Sequence, residues 1–303
     1  MKMKRFLATI VSVVMLLMCG TTAFADAPDV TIKKDDKPYL ALGKDLTEEQ
    51  KDKVLSLMGL TDTDLKNYDV VYVTNKEEYD YLGSYLDSSV IGDKALSSVL
   101  VVQREAGNGI KVTTKNISYC TTGMYRNALI TAGITDADII VAGPFKLSGT
   151  AALVGATKAY EEMTGENISK SNVDAATNEL VVTGELAETV GDNEKAEELI
   201  AYVKQAVAAN KDISKDEILE AIDEGSKTLD IELTEDDKAQ IVSLMDKINQ
   251  LDIDVDALKE QAKSLYDKLG DLNLDTDKLK ESMGGTLSKV FTAIVEFIKG
   301  LFD

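Results

Sequence analysis

Histidine is absent from all 303 residues, and that omission excludes more chemistry than any motif present suggests. Without imidazole there is no Ser-His-Asp or Cys-His relay, no histidine-ligated zinc and no histidine general base. The side chain best suited to sensing neutral pH is missing as well. Cysteine is nearly as scarce, with Cys19 and Cys120 alone. Cys19 falls in a stretch expected to be cleaved off, so the mature chain forms no internal disulfide and its fold must stand on its core. Cys120 precedes a helix expected to start at Thr121, where the dipole favours a thiolate. With no base to serve it, it reads as a small apolar residue. Arginine is limited to Arg5, Arg104 and Arg126, and 33 basic residues face 53 acidic ones for a net charge of −20. Such a surface repels phosphate backbones and excludes nucleic acid as a partner.

What is present begins with a targeting segment. Lys2, Lys4 and Arg5 precede the apolar run Phe6 to Met18, and Ala23-Phe24-Ala25 is a small-x-small cleavage site. Residues 1–25 therefore read as a secretory signal peptide, too short in its apolar part to span a membrane. Leu16-Leu17-Met18-Cys19 has the leucine and cysteine of a lipobox, so lipidation at Cys19 stays open beside ordinary cleavage near Ala25; Met18 is bulky where that processing prefers a small residue. Either way the protein is expected to be extracytoplasmic, secreted or attached to the envelope.

Residues 26–38 are polar and flanked by proline, a flexible leader. Tyr39 to Leu42 is a short strand. Thr47-Glu48-Glu49-Gln50 is a capping box that starts a helix with Val54, Leu55 and Met58 inward. Val70 to Val73 is the next strand, and Lys76 to Leu86 a helix with Tyr79, Leu82 and Leu86 along one face. Two β-rich runs, Leu96 to Arg104 and Ile110 to Ile117, are joined through Gly107-Asn108-Gly109, residues that accept positive φ readily; this predicts a hairpin. A helix from Thr121 to Ala132 ends at Gly133. Ile139 to Ala142 is a strand apolar on both faces, expected to stop at Gly143-Pro144 because proline has no N–H to give. Ser148 then caps a helix rich in small residues, among them Ala151, Ala152, Val154 and Ala156.

The order strand, helix, strand, strand, helix, strand over Asp69 to Gly143 fits a ferredoxin-like βαββαβ sheet. A mixed sheet that uses the Tyr39 strand, with helices on both faces, fits it too. After about Gly165 strand signals fade. Val173–Val190, Glu194–Ala209, Lys215–Leu229, Glu235–Leu251 and Val255–Leu269 all read as helices separated by short polar joints. The fold class is therefore α+β: an α/β domain over 39–165, an all-α domain of helical hairpins over 166–283, and a C-terminal amphipathic helix over 284–303. Two echoes run through the chain. Asp45 to Met58, DLTEEQKDKVLSLM, returns as Glu232 to Met245, ELTEDDKAQIVSLM, and Leu251 to Glu260, LDIDVDALKE, returns as Leu272 to Glu281, LNLDTDKLKE. Both read as repeated helix starts with acids near the positive end of the dipole.

No cofactor or metal is expected. An EF-hand loop beginning at Asp252 needs glycine at Ala257 and glutamate at Lys263, and one beginning at Asp271 meets Thr276 and Ser282 instead. Lys146, Ser148, Gly149 and Thr150 could seat an anion at a helix N-terminus but lack the ending of a P-loop. The strongest interaction signal is the final helix. Leu287, Val290, Phe291, Ile294, Val295, Ile298, Leu301 and Phe302 repeat at i, i+3, i+4 to make one apolar face behind the hinge Gly284-Gly285. It can dock on the helical half, on a membrane surface or on a partner.

The segments VTNKEEYDYLGSYL, IGDKALSS, GMYRNALITAGITDADIIVAGPFKLSGTAAL and LTEDDKAQIVSLM resemble the YpuA-like family of secreted proteins from Gram-positive bacteria, over nearly the whole mature chain. The resemblance implies extracytoplasmic placement and no particular chemistry. Two functions are carried forward. One is a non-catalytic binding or interaction protein of the cell envelope. The alternative is a carboxylate-dependent cell-wall hydrolase drawing on acids such as Glu77, Glu78, Glu161 or Glu162; neighbours in sequence point apart on a helix, so each would need a distant partner.

Overall fold

A computed structural model describes residues 36–210 and 212–251, with Val30, Lys33 and Ile253. The chain divides into two compact units, Asp26–Glu188 and one that contains Thr189–Asp303.

The first unit is built on five strands: β1 (Tyr39–Gly43), β2 (Asp69–Val73), β3 (Ser98–Gln103), β4 (Ile110–Ile117) and β5 (Ala137–Leu147). They lie side by side as β2-β1-β3-β5-β4. β1 pairs parallel with β2 and β4 parallel with β5, while β3 runs antiparallel to both β1 and β5. Four strands thus point one way and the middle one returns. α1 (Glu48–Leu57) lies between β1 and β2, α2 (Asn75–Leu82) and the short α3 (Ser88–Ile91) between β2 and β3, and α4 (Thr122–Ala132) between β4 and β5, while α5 (Thr150–Thr164) and α6 (Lys170–Val190) follow the last strand.

Alternation along the strands sorts the core into two layers. Leu40 and Leu42 of β1, Leu100 and Val102 of β3 and Ile140 and Ala142 of β5 meet Val54, Leu55 and Met58 of the α1 segment. Their neighbours Ala41, Val99, Val101, Ile139 and Val141 face the other way, onto α4, α5 and Ala176, Leu180 and Val181 of α6. A one-residue slip in register would exchange the two sets. Helices therefore cover both faces of a mixed sheet, and the ferredoxin-like arrangement is not the one adopted.

The hairpin is the second correction. β3 and β4 are not neighbours, because β5 lies between them. Ile139, Ile140, Val141 and Ala142 are all buried, so β5 gains most from a partner on each side. The loop between Arg104 and Gly109 straddles it, a step of roughly 10 Å across two strand spacings. Asp136 pins the crossing just ahead of β5: its carbonyl accepts from the N–H of Arg104 at 2.8 Å and its carboxylate from that of Gly109 at 2.9 Å.

Nor does β5 end at Gly143-Pro144. Its pairing with β3 runs out at Ala142, opposite Ser98, but it rejoins β4 at Leu147, opposite Ile117. Between these points the ladder bulges around Asn116, at φ 59, whose side-chain amide donates to the Gly143 carbonyl at 3.0 Å. Pro144 sits where no ladder hydrogen bond is asked of it. The following helix starts one residue later than expected, capped by the backbone of Gly149 at φ 96 instead of the side chain of Ser148. α2 stops at Leu82, short of the expected Leu86, and Glu78 rather than Tyr79 joins Leu82 on its buried side.

From Thr189 on, the described elements are the helices α7 (Asn193–Ala209), α8 (Lys215–Leu229) and α9 (Glu235–Asn249). Leu199, Ile200 and Val203 of α7, Ile218 and Ile222 of α8, and Ile241, Leu244, Met245 and Ile248 of α9 are buried. The three pack on one another, and α8 approaches α7 closely at Gly225, where a Cβ would meet Leu199 Cδ1 at 2.6 Å. The first echo proves to be the same local device used twice. Thr47 and Thr234 each cap a helix through a complete capping box. In each, the lysine four residues on pairs with the glutamate of the first turn and with a second acid: Lys51 with Glu48 and Asp62, Lys238 with Glu235 and Asp223.

Candidate functional site

Because β1, β2, β4 and β5 all point the same way, the N-termini of α1, α2, α4 and α5 gather at one edge of the sheet. Open α/β sheets bind ligands at this carboxyl edge, so the polar residues here are the first to consider. Gly149 lies at this edge, between β5 and α5. A Cβ on it would lie 2.5 Å from Tyr125 Oη and 2.7 Å from Ile117 Cγ2, and the Tyr125 hydroxyl donates to its carbonyl at 2.5 Å. The Cys120 N–H donates to the Ser148 carbonyl at 3.0 Å, which ties the start of α4 to the same turn.

Glu78 enters this region from α2. It is only 1 % exposed, accepting from the Thr150 hydroxyl at 2.9 Å and the Asn75 amide at 3.4 Å. Burial pushes its carboxyl up to about 7, against those two hydrogen bonds, and the negative charge of Asp45 pushes it the same way. Cys120 and Tyr125 are buried beside it. Burial takes the thiol up to about 12 and the phenol well above its ordinary range. A thiol held protonated in this way is no nucleophile.

Glu77 turns outward and serves structure. It completes the capping box of Thr74 and pairs with Lys158 of α5 at 2.6 Å. Burial raises its carboxyl, but the bonds from Lys158 and Thr74 outweigh that and hold it below the ordinary glutamate value. Lys158 also donates to the Tyr72 carbonyl at 2.6 Å. The N–H of Lys44 takes the next carbonyl, that of Val73, on the β1 side, so Tyr72 presents its oxygen to the open side of β2. A lysine on that oxygen blunts the one free edge of a strand that ends the sheet.

A second polar cluster lies at the opposite end of β3 and was legible only as arginine scarcity. Arg104 grips Asp36 through both terminal nitrogens, at 2.6 and 3.0 Å, and Asp138 through Nε at 2.6 Å. Arginine holds the Asp36 carboxyl below its ordinary value, although burial opposes this. This clamp fastens the approach to β1 onto β5.

Of the residues singled out in sequence, the structure brings Glu78, Cys120, Gly149 and Thr150 together. The anion seat is thereby occupied from within, since Thr150 already donates to Glu78. Lys146 is exposed. Glu161 accepts from the Ile168 N–H at 2.8 Å and Glu162 is exposed. The Asp252 to Asp256 acids, the second echo and the apolar stripe Leu287, Val290, Phe291, Ile294, Val295, Ile298, Leu301 and Phe302 lie outside the described residues, apart from Leu251 and Ile253. Among the described residues no three acidic or thiol side chains cluster as metal ligands, and no helix is long and apolar enough to cross a membrane. Sequence reasoning named Glu78 only as one of two adjacent acids. Its place four residues before the buried Leu82 was the available sign that it faces inward.

Comparison with known proteins agrees with the resemblance seen in the segments. A protein from Bacillus subtilis (strain 168), described as "Uncharacterized protein YpuA", is 41% identical over 261 residues, which cover 85% of this chain and 86% of the relative. No solved structure matches. The profile of a family described as "Protein of unknown function (DUF1002)" matches residues 42–265, so the chain belongs to the DUF1002 family.

Proposed function

We propose that the protein is a non-catalytic interaction protein of the cell envelope, delivered by the signal sequence of residues 1–25. One observation carries the reading: the chemically capable groups at the carboxyl edge are engaged in holding α2 to α5 and the start of α4 to the turn before α5. Glu78 is tied to Thr150, Glu77 to Lys158 and the Cys120 backbone to Ser148, while the thiol is sealed in. Large apolar and aromatic side chains of the same unit stand in solvent instead. Phe145 is 51 % exposed and Tyr72 45 %, with Tyr79 and Tyr81 of α2 also exposed. Tyrosine supplies contact area at low entropic cost and is enriched where proteins bind.

The test is co-sedimentation of the mature protein with wall and membrane fractions. Retention is expected, with loss when Tyr72, Tyr79, Tyr81 and Phe145 are changed to serine in a chain that keeps its melting temperature, or when residues 284–303 are deleted. Retention indifferent to both changes, or turnover of any wall fragment, overturns the reading.

A further inference from the structure

Glu78 links segments far apart in sequence. One carboxyl oxygen accepts from Thr150, the first residue of α5, and the other from the side chain of Asn75, the first residue of α2. The Asn75 amide also donates to the carbonyl of Gly92, just after α3, at 3.2 Å. The segment 75–92 is thus tied at both ends to a carboxyl buried against α5. Both donors are neutral. The titratable groups that face Glu78 are Asp45 from the connection between β1 and α1, Cys120 ahead of α4 and Tyr125 on α4. Asp45 is itself fixed, accepting from the Ala95 N–H at 2.9 Å. Thr150 and Ser148 face it from the α5 side without charge. Lys158 on α5 is committed to Glu77 and the Tyr72 carbonyl, and Asp93 and Lys94 after α3 are exposed. Among the described residues, the side-chain charge that bears on this carboxyl is the negative one of Asp45.

We propose that Glu78 is a proton-operated clasp, its neutral form holding α2 and α3 against α5 and its ionisation releasing them. A buried carboxyl without a cation is stable only while neutral. Its folded value of about 7 lies above its ordinary 4.5, so the closed form binds the extra proton. The stability it lends is complete below pH 4.5 and falls as pH rises through 7. The chain thereby gains a neutral-pH response without histidine.

Amide hydrogen exchange across residues 75–92 of the intact protein, corrected for intrinsic rates, reads the clasp directly. Opening of this segment is expected to rise on the order of 50-fold between pH 5 and pH 8. In Glu78→Gln it stays flat, and in Asp45→Asn the midpoint moves to lower pH. The infrared C=O band of a protonated carboxylic acid should persist at pH 6 in the wild type, fade by pH 8, and be missing from Glu78→Gln. The same pH dependence in Glu78→Gln as in the wild type, or no acid band at pH 6, overturns the proposal.

Discussion

At the scale of single residues, backbone geometry and buried charge decide what can change. Gly149 combines φ 96 with a Cβ position already claimed by Tyr125 Oη and Ile117 Cγ2. Gly149→Ala therefore meets strain and overlap together, and a loss of about 2 to 4 kcal/mol is expected in urea unfolding. Arg104 stands between two acids with little access to water. Arg104→Met leaves Asp36 and Asp138 unpaired in a half-buried setting, and about 3 kcal/mol is the expected cost at pH 7. The acid side of the stability curve should change as well. A carboxyl held below its ordinary value stabilises the fold above that value and loses its contribution as pH falls through the lower one. The wild type should weaken as pH drops below 3.8, the ordinary value for Asp36, and Arg104→Met should show a shallower drop over that window. The clamp's partners were not legible in advance, because Asp36 and Asp138 are 68 and 34 residues from Arg104 and nothing local marks the pairing.

At the scale of elements, local signals were read well and long-range ones poorly. The capping box at Thr47, the repeat of that helix start before Glu235, the Gly133 stop and the inward face of α1 follow from neighbours within four residues, and the structure repeats them. Thr47→Ala and Thr234→Ala should each cost about 1 kcal/mol in denaturant titrations. The order of strands does not follow from such signals. Gly107 and Gly109 do adopt positive φ, as their residue type invites, yet the loop they shape spans a strand. What overrode the hairpin was the demand of β5 for burial on both sides, a preference that only the assembled sheet can express. The candidate site was missed for the same reason, since Glu78 and Thr150 are 72 residues apart. Lys158 belongs to this scale too. Lys158→Ala bares the outer carbonyl of Tyr72 and opens the edge of β2, so light scattering should show concentration-dependent association that the wild type lacks.

At the scale of the molecule, the first unit holds together through one sheet and two layers, and residues 26–188 are compact by themselves. The position of β5 bears on how this unit is reached in time. A chain emerging in order offers β3 and β4 before β5 exists, joined by the loop whose glycines invite them to pair. Their adhesion is a competitor that must come apart before residues 137–147 can slot in. Refolding should therefore be limited by a slow phase that Asn108→Val, a change averse to tight turns at a position without positive φ, accelerates while unfolding changes little. Synthesis presents the strands in this same order, so the early hairpin is a detour that the chain's own residues write into every molecule made.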